Sequence, residues 1–159
     1  MSFNIFVSYS TDDISEVEKL KLQLEGTPIK LFIAEYSISP GENLTGKIIR
    51  AIKECDLFVV LWSKRAESSG WVSQEIGHAN ALSKHILPLV LSKEAPPPGF
   101  IKNLKYLPVH QDPERALNKA REIIMAAYDR KQKLLQEQKE RDSLALLGLG
   151  AFLLWAFNK

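Results

Sequence analysis

Trp71 and Glu75 lie four residues apart in the segment Trp71-Val72-Ser73-Gln74-Glu75, so on a helix they share a face one turn apart. A carboxylate beside an indole can do specific chemistry. It can accept hydrogen bonds from two ribose hydroxyls and stabilise positive charge developing at an anomeric carbon, while aromatic faces stack on flat bases. Both residues also have plainer readings, Glu75 as a charge on a solvated helix face and Trp71 as a core aromatic stapling the helix. Chemistry needs them placed where a ligand can reach. Just upstream, Leu57-Phe58-Val59-Val60-Leu61-Trp62 is too short for a helix and too uniformly apolar for a half-exposed strand, which predicts a strand covered on both faces. Ser63, Trp71 and Glu75 follow the carboxyl end of that strand, where ligands bind in open parallel α/β sheets.

The elements that must position these residues can be taken in order. A strand over Phe3–Ser8 runs into Tyr9-Ser10-Thr11-Asp12-Asp13, where Ser10 or Asp12 can cap a helix and Asp13 and Glu16 suit the positive end of its dipole. Ile14, Val17, Leu20 and Leu24 then recur at helical spacing, and Glu25 to Pro28 stops the helix. A second strand, Ile29 to Ala34, empties into a loop in which Pro40-Gly41 signals a turn, Pro presetting φ and Gly supplying a positive φ. Asn43 or Thr45 can cap the next helix, with Leu44, Ile48, Ile49 and Ile52 on one side. After the third strand come a helix over Val72 to Lys84, a fourth strand over Ile86 to Leu91, and a proline-rich loop ending at Gly99. A weak fifth strand, Tyr106 to His110, contains Pro108 and so belongs at a sheet edge, and Asp112-Pro113 opens a last core helix. Five strands alternating with helices predict a parallel sheet with helices on both faces.

A chain of 159 residues, 45% hydrophobic and 25% charged, has room for one domain with a proper core and little else. The net charge of +2 and the lack of a basic stripe interleaved with aromatics in the first hundred residues argue against nucleic acid. One cysteine, Cys55, excludes an internal disulfide, and the three histidines lack the spacing of a metal site, so no metal or bound cofactor is expected and a reducing cytosol fits. Cys55 precedes a strand with no histidine paired to it and reads as a buried spacer. The N-terminus enters a strand without a basic region or cleavage site, unlike a secretory signal.

From Asp129 to Asp142 the sequence is highly charged, and Leu144 to Phe157 is an uninterrupted apolar run. Such a helix spans about 21 Å, against a hydrocarbon core of about 30 Å. Two readings stand open. One is a membrane anchor, helped by bilayer thinning and by snorkelling of Lys139, Arg141 and Lys159, with the basic residues upstream keeping the domain cytoplasmic. The other is an oligomerisation or groove-docked helix. The organisation predicted is a globular domain over 1–128, a charged helical linker over 129–142 and an apolar tail helix over 143–159.

In such a sheet the carboxyl ends bring together Ser8, Tyr9 and Ser10, the stretch from Phe32 to Ser37, and Ser63 with the Trp71–Glu75 turn. The segments Phe6-Val7-Ser8-Tyr9-Ser10, Ile38-Ser39-Pro40-Gly41, Ala51-Ile52 leading to Asp56-Leu57-Phe58-Val59-Val60-Leu61-Trp62-Ser63, and Trp71-Val72-Ser73-Gln74-Glu75 resemble, in order, the recurring boxes of Toll/interleukin-1 receptor (TIR) domains. The resemblance covers residues 3 to 128 and is closest to prokaryotic members.

That resemblance implies a flavodoxin-like five-stranded sheet of order 2-1-3-4-5 and NAD⁺ glycohydrolase or cyclase activity. Glu75 would cleave the nicotinamide–ribose bond, giving ADP-ribose or a cyclic isomer. Tyr9 and Phe32 would line the base and ribose pocket, Ser8, Ser10 and Ser63 would form its rim, and Ser37 and Trp71 would be further substrate contacts. The loop Tyr36–Asn43 would contact a neighbouring protomer. Antiphage defence, with a downstream effector sensing the nucleotide product, is the implied setting. The alternative is a non-catalytic TIR interaction module recruiting partners through the Pro40-Gly41 loop; an adaptor has no need of an acid at position 75. A nucleoside-processing transferase with a similar sheet would also use a carboxylate. One departure matters: some catalytic members carry arginines just after the first strand, where this chain has Ser10-Thr11. Diphosphate contacts must then come from backbone amides or from elsewhere, with Lys64 and Arg65 as candidates that otherwise read as solvated loop residues. His78 could touch the pocket or be a plain surface histidine.

Overall fold

A computed structural model of the protein describes residues 2–34, 39–99 and 101–157. Five strands, β1 (Phe3–Ser8), β2 (Ile29–Phe32), β3 (Leu57–Trp62), β4 (Ile86–Val90) and β5 (Leu107–Pro108), form one sheet in the order β2-β1-β3-β4-β5. All pairings are parallel. The helices are α1 (Ile14–Gln23), α2 (Leu44–Glu54), α3 (Lys64–Glu67), α4 (Gly70–Ala81) and α5 (Pro113–Phe157). This is the flavodoxin-like order, and it reverses between β1 and β3, where a crevice must open at the carboxyl ends.

Every residue of β3 is buried, as a strand covered on both faces requires. On one face Phe32, Phe6 and Phe58 stand opposite one another in register across β2, β1 and β3. Their rings stack at centroid separations of 5.3 Å on each side of Phe6. The same cluster takes in Val60 and Trp62 of β3, Ile48 and Ile52 of α2, and Val72, Ile76 and Ala79 of α4. Trp62 satisfies its buried indole by donating to the Pro96 carbonyl at 3.1 Å, which fastens the proline-rich loop to the core.

Several element ends differ from expectation for local reasons. β2 stops at Phe32 rather than Ala34. Ser63 accepts a hydrogen bond from Ala66 N and starts α3, a helix of four residues that is too short to leave a periodic signal. Ser69 then caps α4, so that helix begins at Gly70 rather than Val72. α2 is capped by Asn43, whose side chain accepts from Gly46 N at 2.9 Å, but only Ile48 and Ile52 of its expected apolar face are buried. Leu44 and Ile49 are exposed. The Pro40-Gly41 turn forms as expected: Glu42 N donates to Ser39 O at 3.2 Å and Gly41 takes a φ of 84°.

The chain divides into two compact units, Ser2–Glu122 and Ile123–Lys159. In the first, Ala116, Leu117 and Ala120 of α5 are buried, and Asp112 caps that helix by accepting from Arg115 N. The second is helical through Phe157, and its large apolar residues from Leu144 to Trp155 are exposed. Among the described residues no helix is long and apolar enough to cross a membrane, so the anchor considered for Leu144–Phe157 is not supported. The physical reason is length: the run is several ångströms short of the hydrocarbon thickness and continues from a charged segment.

The aromatic ladder sets a stability expectation. Phe58→Ala removes the third ring of the stack from a fully buried position and should destabilise the fold by about 3–5 kcal/mol, read from urea or guanidinium unfolding.

Candidate active site at the carboxyl ends of β1 and β3

Ser8 is the last residue of β1 and pairs with Val60 of β3. Two positions from Phe6, it projects to the same face of the sheet, toward α4. Val72, Ile76 and Ala79 bury one side of α4, and Glu75 lies on the flank of that side, one residue before Ile76. The two meet: the Ser8 hydroxyl donates to Glu75 Oε2. Ser8 is fully buried and Glu75 half-buried.

Burial pushes the Glu75 carboxyl up from its usual 4.5 to about 7, and the Ser8 hydrogen bond works against that rise. Glu75 is therefore poised to change protonation near neutral pH, which suits an acid–base or charge-stabilising group and which a solvated surface glutamate would not show. Trp71, one helical turn back, is 49% exposed, so it is not a core staple and its indole is open to a ligand.

The end of β3 carries a second hydroxyl–carboxylate pair. Ser63 Oγ donates to Asp13 Oδ2 at 2.5 Å, and Arg65 Nη1 reaches Asp13 Oδ1 at 3.3 Å and the Asp12 carbonyl at 3.0 Å. Asp13 is buried, whereas the Arg65 side chain is largely exposed. The Ser63 hydroxyl is thus used twice inside the protein, donating to Asp13 and accepting from Ala66 N. Asp13 was expected only as a favourable charge at a helix start; the structure makes it the brace between the loops after β1 and β3.

The other expected residues divide. Ser10 is buried, and its carbonyl accepts from Asp13 N at 2.8 Å in a 3-10 turn over Thr11–Asp13. Tyr9 is half-buried. Phe32 stacks on Phe6, with its ring in the core ladder and part of its surface exposed. Ser37, and Tyr36–Ile38 of the expected contact loop, lie outside the described residues. His78 is exposed on α4. A crevice of about 620 Å³ opens between the two loops, lined by Ser10, Asp12, Lys64, Arg65, Ser68 and Ser69. Its position is the switch point of the sheet, and it holds two cations beside hydroxyls and a carboxylate.

The sheet order and the polar residues gathered at its switch point define the class, a flavodoxin-like α/β domain with a buried-carboxylate site. Residues 5–124 match the TIR domain family, and the chain belongs to that family. Among solved structures it is similar to the TIR domain of the Toll-related receptor TRR-2 from Hydra magnipapillata, with 20% identity, a TM-score of 0.67, and coverage of 80% of this chain and 99% of that one. A prokaryotic SEFIR domain aligns at 19% identity and a TM-score of 0.60, covering 77% and 92% of the two chains. The TIR domains of the activated Roq1 resistosome, which recognises the effector XopQ, align at 19% identity and a TM-score of 0.52, covering 84% and 99%. At these identities the likeness is one of fold. No curated protein matches the sequence.

The raised Glu75 pKa has a defined effect on stability. Between pH 4.5 and about 7 the folded protein holds a proton that the unfolded chain has released, so stability falls as pH rises through that window and levels off above it. Glu75→Gln removes the ionisation but keeps an acceptor for Ser8. The variant should be little changed at pH 4.5 and more stable than the parent at pH 8, by up to roughly 3 kcal/mol, as followed by thermal or urea unfolding across pH.

Proposed function

We propose that the protein cleaves the nicotinamide–ribose bond of NAD⁺. The observation that carries this reading is Glu75: a carboxylate drawn out of water and held by Ser8 of β1, one helical turn from an exposed indole, where a surface charge would be the bland alternative. In the ionised state Glu75 accepts a hydrogen bond from the nicotinamide ribose and stabilises the oxocarbenium character that develops at its anomeric carbon. The C–N bond breaks with its electron pair leaving on nicotinamide. Water then adds to the anomeric carbon and loses a proton to give ADP-ribose, or a nucleophile within the same molecule closes a cyclic isomer. Trp71 offers a stacking face, and Lys64 and Arg65 supply positive charge for the diphosphate in place of the arginines absent after β1.

Self-association completes the proposal. Of the loop through Pro40-Gly41, the described part carries the Ser39–Glu42 turn and an exposed ion pair of 2.6 Å between Glu42 and Lys47, and we propose that this loop meets a second copy. Catalysis in such an assembly, in the cytoplasm and in the service of antiphage signalling through a nucleotide-sensing effector, is the setting we propose.

The rival is a non-catalytic interaction module. Mass spectrometry of NAD⁺ incubated with the purified protein, under dilute and crowded conditions, distinguishes them and identifies the product. Nicotinamide release is expected, and Glu75→Gln should lower it by at least about a hundredfold while the variant stays folded. Full activity in Glu75→Gln would sink the assignment, and NAD⁺ left intact by the parent protein in an assembled state would favour the adaptor.

A further inference from the structure

We propose that Ser8 is the positioning residue of this site: its buried hydroxyl holds Glu75 Oε2, leaving Oε1 as the one oxygen that meets the substrate. The inference rests on the NAD⁺-cleaving reading and changes the expected place of Ser8, from a pocket rim that touches substrate to a group that acts through Glu75.

Three observations converge. Ser8 has no exposed surface, so its hydroxyl meets no ligand entering from the crevice. That hydroxyl donates to Glu75 Oε2 across 67 residues of sequence, from the end of a central strand that cannot swing away. Among the described residues no donor is found for Glu75 Oε1, which belongs to a half-buried side chain with a path to solvent. A carboxylate with one oxygen locked has a fixed plane, and its second oxygen then has a fixed direction. Such a group contributes more at a transition state than one that must be oriented after binding.

The bond also selects the charge state. An O–H donated to a carboxylate favours the ionised form, and here it is what opposes the effect of burial. No charged neighbour shares that task. On α2 the ionisable groups Lys47, Arg50, Lys53 and Glu54 are exposed, β1 has none, and on α3 Lys64, Arg65 and Glu67 are exposed. His78 on α4 itself is exposed as well. None of them contributes to the Glu75 shift; burial and Ser8 do.

The test uses the full chain with Ser8→Ala and Ser8→Thr. First, the Glu75 carboxyl is titrated by ¹³C NMR, its resonance assigned by its loss in Glu75→Gln. Ser8→Ala should move the titration upward by about one pH unit, and Ser8→Thr, which keeps the hydroxyl, should move it back toward the parent. Second, the pH profile of nicotinamide release should show its acid limb displaced upward by the same amount in Ser8→Ala, with kcat lowered and KM for NAD⁺ little changed. An unmoved Glu75 titration in a folded Ser8→Ala overturns the proposal, as does a kinetic defect confined to KM, which would return Ser8 to the rim as a substrate contact. Should the parent release no nicotinamide, the NAD⁺ reading fails and takes the catalytic role of Ser8 with it, whereas the titration still decides whether Ser8 controls Glu75.

Discussion

The parallel pairing of β1 with β3 is the constraint on which the site depends. With Ser8 opposite Val60, β1 ends two residues short of Trp62, and the chain must leave both strands at the same edge of the sheet. β2 lies on one side of β1 and β4 on the other side of β3, so the helices that follow these strands diverge to opposite faces and a crevice opens between their loops. A one-residue slip of β1 would turn Ser8 to the other face and bring Val7 toward α4. The Phe32–Phe6–Phe58 ladder resists that slip, because it would break both stacks at once.

Two hydroxyl–carboxylate pairs sit at that edge, and they have different consequences. Asp13 has Ser63 on one oxygen and Arg65 on the other, so its charge is matched and its geometry saturated. It joins two loops and has little left to offer a ligand. Glu75 has one described donor and no cation, and burial outweighs the single hydrogen bond, which leaves its carboxyl at about 7. A hydrogen bond to a charged group contributes roughly 1.5–3 kcal/mol, so removing Glu75 from water must exceed that for the net shift to be upward. The matched pair is architecture; the unmatched one is chemically poised.

Much of this was legible because strands and turns announce themselves locally. The apolar runs of β1 and β3 have the bounds predicted from sequence, and Asn43, Pro40-Gly41 and Asp112 act as cap, turn and cap through contacts within three residues. What was not legible depends on distant contacts. Nothing near Asp13 in the sequence signals Ser63, 50 residues away, and the spacing of Leu44 and Ile49 is helical even though the sheet covers only Ile48 and Ile52. Phe32 was expected beside a base; its stacking partner is Phe6, which only the strand register reveals. The Trp71–Glu75 spacing implied a shared face, but the exposure of one residue and the partial burial of the other came from how α4 rolls to bury Val72 and Ile76.

The cost of Glu75 bears on which function this TIR domain serves. A surface for protein partners would work with Gln at position 75, which would keep the Ser8 hydrogen bond and relieve the fold of a charge it solvates poorly. Retaining a carboxylic acid there leaves the folded state less stable at neutral pH than it could be, in the sense that sites built for catalysis commonly are. The same burial that costs stability makes the ionised oxygen more effective toward a developing cation, since its field is less screened than in water. A buried carboxyl that costs the fold stability at neutral pH is the feature on which the proposed enzymatic reading rests, and the adaptor reading has no use for it.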